Sequence, residues 1–94
     1  MNYNTVAASQ TAQALIGTSK AGAKGDIVKR LIVTVATSAT GTVALLDNAT
    51  SIPITAANTP IGVYIVDLDV TSKEGAWKIT TGAGATVVAV GEFS

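Results

Sequence analysis

The 94-residue sequence contains no cysteine and no histidine, and each absence excludes a class of chemistry. Without cysteine, the fold cannot be held by disulfides or built around a zinc-thiolate or iron–sulfur centre. Without histidine, no side chain titrates near neutral pH at its ordinary pKa, and a hydroxyl nucleophile lacks its usual base. We therefore predict that the protein is not an enzyme and has no cofactor, no catalytic residue and no metal-binding residue.

Charged residues are also scarce. They make up 13% of the chain, six basic and six acidic, so the formal net charge is zero. Nucleic acid binding requires clustered Lys and Arg side chains that neutralise phosphates, and an electrostatic membrane anchor requires a basic patch. The sequence has no apolar run of membrane-spanning length and no secretory signal pattern at its start. We expect a protein that is made in a cytoplasm and binds neither nucleic acid nor membrane.

Apolar residues, by contrast, are abundant, at 48% of the chain. A chain of this length forms one domain, and a domain this small cannot bury so much apolar surface by itself. Monomeric proteins rarely leave large apolar patches in water. The excess is therefore expected at contacts with other copies of the chain, as a homo-oligomer, or with a larger partner.

Short runs rich in Val, Ile and Thr alternate with turn residues, which is the pattern of an all-β fold, here an antiparallel β-sandwich. Six strands are predicted, at 26–36, 42–46, 51–57, 61–71, 76–81 and 85–93. Pro53 cannot donate a hydrogen bond to a neighbouring strand, so it predicts an edge strand or a bulge. Gly82, Ala83 and Gly84 predict a tight turn that joins the last two strands as a β-hairpin.

Residues 1–14 differ from the rest because they are rich in Asn, Gln, Thr, Ser and Ala and poor in large apolar groups. We expect them to form an extended N-terminal arm that is loose in isolation, followed by a β-sandwich domain at 15–94. Alternatively, the Ala and Gln residues between 7 and 14 can form a helical turn.

Several strands are apolar on both faces, whereas an antiparallel sheet usually leaves one face in water. The second faces and the arm are therefore candidate interfaces. The candidates are Asn2, Tyr3, Asn4, Val6, Gln10, Gln13, Ile32, Ile65, Val88 and Val90. The expected core anchors are Trp77, Tyr64, Leu68 and Ile79.

Two pairs of residues invite a chemical interpretation. Asp67 and Asp69 lie two apart on a strand and can present both carboxylates to a cation such as Ca²⁺, but two ligands are too few, and a solvated strand end is the favoured interpretation. Trp77 and Tyr64 can form a platform on which a sugar stacks. Because the chain has only four aromatic residues, we favour a role for both in the core.

Three stretches resemble small structural proteins of tailed bacteriophages, in particular head decoration or cement proteins. They are SATGTVALLDNATSIPI at 38–54, IGVYIVDL at 61–68 and SKEGAWKITTGAGATVVAVG at 72–91. The resemblance covers roughly 26–94. It implies a β-sandwich or jelly-roll-like domain, often trimeric, that binds the major capsid protein on the outer surface of the head and ties neighbouring capsomers together.

The resemblance carries over no catalytic residue, and it places the protein on the outside of the virion capsid. The alternative is a phage fibre or a receptor- or carbohydrate-binding module. An exposed Trp77 beside Tyr64 would favour the sugar-binding alternative, and a buried Trp77 would favour the structural role.

Overall fold

The computed structural model describes residues 2–17, 22–37 and 40–94. Every regular element in these segments is a β-strand, so the all-β prediction is confirmed. The strands are β1 (Asn2–Val6), β2 (Gln13–Ala14), β3 (Ile27–Val35), β4 (Val43–Asp47), β5 (Thr50–Thr55), β6 (Gly62–Thr71), β7 (Trp77–Thr80) and β8 (Ala85–Glu92). No helix in the described segments is long and apolar enough to cross a membrane.

The strands form two antiparallel four-stranded sheets, so the predicted sandwich is confirmed as well. Sheet A has the strand order β1-β8-β3-β6, and sheet B has the order β2-β7-β4-β5. The pairing is nested, because β1 pairs with β8, β2 with β7, β3 with β6 and β4 with β5. The edges are therefore β1 and β6 in sheet A and β2 and β5 in sheet B.

The core lies between the sheets and follows from the alternation of side chains along each strand. In sheet A, β8 directs every second residue inward, and β3 does so on either side of its bulge after Val28. In sheet B, β4 and β7 alternate in the same way. The buried apolar residues are Val6, Leu15, Val28, Leu31, Val33, Val35, Val43, Leu45, Trp77, Ile79, Ala85, Val87, Ala89 and Phe93.

All six predicted strands are present, with ends that differ from the prediction by at most two residues. Pro53 lies, as predicted, in an edge strand with a bulge. Val43 pairs with Thr55 and Ala44 with Pro53, so Ile54 is an additional residue in β5. The exposed side of an edge strand requires no hydrogen bond from proline, which explains why the sheet accepts it there.

The predicted hairpin at Gly82 to Gly84 is wrong. The two strands that it joins lie in different sheets, β7 in sheet B and β8 in sheet A. The link crosses between the sheets and is bonded to the end of β3, because the Ala36 N–H donates to the Gly84 carbonyl at 2.8 Å. Gly84 has a φ of 75°, a backbone conformation that glycine adopts without steric cost.

The extended N-terminal arm is not confirmed. Strand β1 pairs with β8 over its whole length, and Val6 at its end is fully buried in the core. Strand β2 pairs with β7, and the residues before it form a turn with Ser9 at a φ of 59° rather than a helical turn. Residues 2–14 thus belong to the sandwich, and the expected boundary after residue 14 separates no structural units. Residue 1 lies outside the described segments.

The side chain of Asn4 explains how so polar a segment attaches to the sandwich. Its Nδ2 donates to the Ile16 carbonyl at 2.9 Å, and its Oδ1 accepts from the Ile16 N–H at 3.4 Å. The Asn2 side chain bonds the Phe93 backbone in the same two-sided way. The hydrogen bonds of these two amides attach the segment in place of the buried apolar contacts of an ordinary strand. The composition of the segment does not indicate this attachment.

Candidate interaction surface

Large apolar side chains are exposed on the outward side of sheet A. We call this surface the outer A face. It consists of the outward side chains of β1, β8, β3 and β6, namely Tyr3, Thr5, Thr86, Val88, Val90, Ile32, Thr34, Val63 and Ile65. Tyr3 is 70% exposed, Val63 62% and Ile65 60%, whereas the valines and the isoleucine of the two central strands are half-buried.

The register of the strands brings these side chains together. Thr5 pairs with Val88, Val88 with Ile32 and Ile32 with Ile65, so one continuous row crosses all four strands. Paired residues of neighbouring strands point to the same side with their Cβ atoms roughly 5 Å apart. Four strands at about 4.8 Å spacing therefore give a face about 20 Å wide.

Two shallow grooves cross this face. One of about 480 Å³ is lined by Asn2, Tyr3, Val88 and Val90. The other, of about 550 Å³, runs between Ile32 and Val90 and a group of charged residues at the end of the face. Both grooves are open to solvent and mostly apolar, so they suit a flat protein surface better than an enclosed small molecule.

The charged end of the outer A face is built by bulges in β3 and β6. The pairing of β3 with β6 and its pairing with β8 both change register between Val28 and Arg30. The Arg30 Nε lies 2.6 Å from the Asp67 Oδ1, and the Lys29 Nζ lies 2.9 Å from the Asp69 Oδ1. Both ion pairs are exposed, so we expect each to stabilise the fold only slightly.

These pairs bear directly on the cation hypothesis for Asp67 and Asp69. Each carboxylate already has a cationic partner on β3. Within residues 2–17, 22–37 and 40–94 there is no group of three or more His, Cys, Asp or Glu side chains that could hold a metal ion. The geometry therefore supports the interpretation of a solvated strand end.

The outward side of sheet B has a different character. Its strands present smaller and more polar side chains, with Ala44 paired with Thr80 and Leu46 with Lys78. On the edge strand, Ser51 and Pro53 are exposed. The two outer sides of the sandwich are thus unequal, and sheet A carries the more apolar one.

Five of the ten candidate interface residues lie together on the outer A face. They are Tyr3, Ile32, Ile65, Val88 and Val90. The prediction that both faces of these strands are apolar is therefore visible in the structure, with one face in the core and the other in solvent. Val63 is not among the candidates, although its side chain points to the same side of β6 as that of Ile65 and is equally exposed.

The other five candidates hold the fold together. Asn2 and Asn4 bond the backbone of neighbouring segments. Val6 is fully buried, so it is a core residue and cannot be an interface residue. The Gln10 N–H donates to the Thr81 Oγ1, and the Gln13 Nε2 donates to the Thr5 carbonyl at 3.3 Å.

The four expected core anchors line the interior to different degrees. Trp77 is 2% exposed and Ile79 is fully buried. Tyr64 and Leu68 lie at the margin of the core and pack against it. The Trp77 Nε1 donates to the Asp26 carbonyl at 2.9 Å, and the Tyr64 hydroxyl donates to the Pro60 carbonyl at 2.6 Å. Trp77 and Tyr64 therefore form no exposed aromatic platform.

Two buried carboxylates fasten loops. Burial would raise the pKa of Asp26, but hydrogen bonds from Ser94 and Ala23 outweigh it and hold this pKa below its ordinary value. Likewise, burial opposes ionisation of Asp47, while the backbone N–H groups of Lys73 and Glu74 donate to it and hold its pKa low. Both groups are ionised acceptors, which is a structural arrangement and not that of a general acid.

Comparisons with family models, with curated proteins and with solved structures find no match to this chain.

Proposed function

We propose that this chain is a structural virion protein, a decoration or cement protein that binds the outer surface of a tailed-phage head and stabilises contacts between capsomers. The outer A face is the observation that carries the proposal. A 94-residue domain that leaves Tyr3, Val63 and Ile65 at least 60% exposed on one face gains free energy by covering that face.

The strand order supports the same proposal. A jelly roll consists of two packed sheets with eight antiparallel strands in Greek-key connection, and it is common in viral capsid proteins. The nested pairing of β1 with β8 through β4 with β5, in two four-stranded sheets, supports a jelly-roll interpretation of the sandwich. Because a fold alone does not define a function, the order strengthens the proposal only together with the exposed face.

The position of Trp77 favours the structural role over the sugar-binding alternative. A sugar-binding platform requires an exposed aromatic ring, and Trp77 is buried with its Nε1 bonded to a backbone carbonyl. Tyr64 points to the core side of β6. The exposed Tyr3 lies among valines, where it resembles an aromatic anchor of a protein interface.

The proposed mechanism is binding without chemistry. The outer A face is built on paired strands, so its side chains are already ordered and lose little conformational entropy when they contact the major capsid protein. A homo-oligomer, for which the resemblance implies three copies, presents several such faces at once. Linked contacts that are individually modest then give a durable attachment to the head.

The proposal is tested by adding purified protein to heads that lack it. We expect the natural protein to coat the heads and to raise the temperature at which they release DNA. Val88→Asp places a charge in the middle of the outer A face and should abolish coating. Ser51→Asp adds the same charge on the exposed edge of sheet B and should coat the heads normally.

Coating by Val88→Asp at full occupancy would show that another surface binds the head. If the natural protein neither coats heads nor changes their stability, while virions without it fail to adsorb to cells, the fibre or receptor-binding alternative replaces this proposal.

A further inference from the structure

Three of the four sheet edges in the described segments are protected against pairing with another chain. Strand β2 has only two residues, and β5 contains Pro53 and a bulge. Along β1, the Thr5 carbonyl accepts a hydrogen bond from Gln13, and Asn4 is bonded to Ile16. Short edge strands, proline and bulges are the usual means by which proteins prevent edge-to-edge association.

The β6 edge is different. This strand is ten residues long and pairs with a neighbour, β3, on one side only. The first half, Gly62–Val66, contains no charge, no proline and no change of register. Val63 and Ile65 in this half are 62% and 60% exposed, and Ile61 just before it is 65% exposed. Such an edge offers unpaired N–H and C=O groups at every second residue, together with apolar side chains.

We propose that this edge pairs with the same edge of a second copy, antiparallel and about a two-fold axis, so that two A sheets become one sheet of eight strands. The midpoint of the uncharged half is Tyr64. With the axis there, Val63 of each copy lies opposite Ile65 of the other, and these β-branched side chains contact each other on the joined outer A faces.

Charge favours this register of the two copies over a register shifted towards Asp67. With the axis at Tyr64, Asp67 lies opposite Ile61 of the other copy, and the two Asp67 carboxylates are about 20 Å apart along the strands. Moving the axis to Asp67 would place these like charges directly opposite each other, which destabilises a strand pair. The bulge at Asp69, where φ is 58°, ends the regular strand on the same side.

The contact between the two edges is small. Seven paired residues, 61–67, extend about 24 Å, and a sandwich edge roughly 15 Å thick then contributes about 350 Å² per copy. This is below the area of a standard stable interface, so the edge contact should form and break as the protein concentration changes. On a head coated with many copies, the same contact can join one oligomer to the next.

Cysteine cross-linking tests the register, because the chain has no cysteine of its own. Val63→Cys and Ile65→Cys variants, mixed and mildly oxidised, should give a mixed disulfide-linked dimer in high yield, since directly opposite residues lie within disulfide distance. Each variant alone should give much less. Thr86→Cys, an exposed residue of the same face on an interior strand, is the matched control. A mixed yield no greater than that of Thr86→Cys would overturn the proposal.

A second measurement does not depend on oxidation. In sedimentation at rising concentration, the natural protein should shift from the mass that it has when dilute, which is 9.4 kDa for a single chain, towards twice that mass. Ile65→Lys should remove the shift or weaken it at least tenfold, whereas Val88→Lys should leave it unchanged. If Val88→Lys alone removes the shift, copies meet through the outer A face and the edge pairing is wrong. A natural protein that stays at 9.4 kDa throughout would also disprove it.

These experiments use no capsid, so their outcome is separate from that of the head-coating assay. Failure of edge pairing leaves the proposed head binding intact, and failure of head binding leaves the edge pairing intact.

Discussion

Asp26 is a single residue at which distant segments of the chain meet. Its backbone carbonyl accepts hydrogen bonds from the Trp77 Nε1 at 2.9 Å and from the Ser72 N–H at 2.8 Å. Its carboxylate accepts from the N–H groups of Ala23 and Ser94 and from the Ser94 hydroxyl at 2.6 Å. The residue therefore fastens the start of β3 to β7, to the loop before β7 and to the segment after β8.

The lowered pKa of Asp26 makes this arrangement sensitive to acid. The folded protein binds the proton less readily than the unfolded chain, so the stabilisation is complete above the ordinary value of 3.8 and is lost as pH falls below it. We expect the free energy of unfolding to be level down to about pH 5 and then to decrease. Asp26→Asn should be less stable at neutral pH and should show a shallower decrease in acid, which urea denaturation at a series of pH values will measure.

Asp47 has a lowered pKa too and remains in that variant, so the decrease should become shallower without disappearing. Parallel curves for the two proteins would show that Asp26 is protonated alike in the folded and unfolded states.

Trp77 should be the most sensitive single position in the core. It is the largest side chain there and is 2% exposed. Trp77→Ala should lower the free energy of unfolding by about 3 to 5 kcal/mol, enough to unfold a domain of this size. Trp77→Phe keeps most of the packing and should cost clearly less. Tyr3→Ala, at a position that is 70% exposed, serves as the control and should change stability by about 0.5 kcal/mol or less.

These values can be measured by urea or thermal denaturation followed by circular dichroism, because the two Trp77 variants lack the only tryptophan and cannot be followed by its fluorescence. A stable Trp77→Ala protein would show that the core tolerates a large cavity beside Ile79.

At the level of strands, the sequence predicts those strands in which apolar residues alternate with other residues. Six strands are readable because Val, Ile and Leu recur at every second position between turn residues. Strands β1 and β2 are not readable, because only Val6 among their residues is fully buried and amide side chains provide the rest of the attachment. Alternation also does not indicate which sheet a strand joins, and for this reason the prediction of a hairpin between β7 and β8 is wrong.

The same reasoning explains how far the interaction surface could be predicted. Ile32, Ile65, Val88 and Val90 follow from strands that are apolar on both faces. Within residues 2–6, only the odd positions point outward, so treating the segment as an arm placed the buried Val6 among the candidates together with the exposed Tyr3. Once a segment is known to be a strand, the alternation of its side chains decides which residues point outward and are interface candidates.

The docking of β1 predicts the effect of a truncation. Deleting residues 2–12 removes an edge strand of sheet A, including the buried Val6, and exposes the inner side of β8. We expect the truncated chain to be largely unfolded, in contrast to the loss of a loose arm, which would leave stability unchanged. Circular dichroism and the fluorescence of Trp77 will measure this. The full-length Tyr3→Ser variant keeps the pairing of β1 with β8 and should stay folded. If the truncated chain unfolds at the same midpoint as the natural protein, residues 2–12 are a loose arm after all.

At the scale of the whole molecule, the sandwich has two unlike outer sides. Sheet A exposes Tyr3, Val63 and Ile65 at 60% or more, whereas sheet B exposes mainly small and polar side chains, with Ile52 of its edge strand 38% exposed. The charges nearest to the outer A face are paired with each other in two exposed ion pairs, and the chain as a whole has a formal net charge of zero. Contacts through sheet A should therefore depend on the burial of apolar area and little on long-range electrostatics.

This asymmetry predicts how salt affects the proposed binding to the head. Binding that depends on unpaired charges weakens as salt screens them, whereas burial of apolar surface is maintained in sodium chloride and strengthened by sulfate. Raising sodium chloride from about 0.05 M to about 0.5 M should change the affinity for bare heads less than about threefold, and ammonium sulfate at equal ionic strength should increase it. Titration of fluorescently labelled protein onto heads measures both. As a control, Val63→Lys introduces an unpaired charge on the outer A face, and its binding should become salt-dependent. An affinity of the natural protein that falls tenfold or more over the same range would mean that charged residues outside this face dominate the contact.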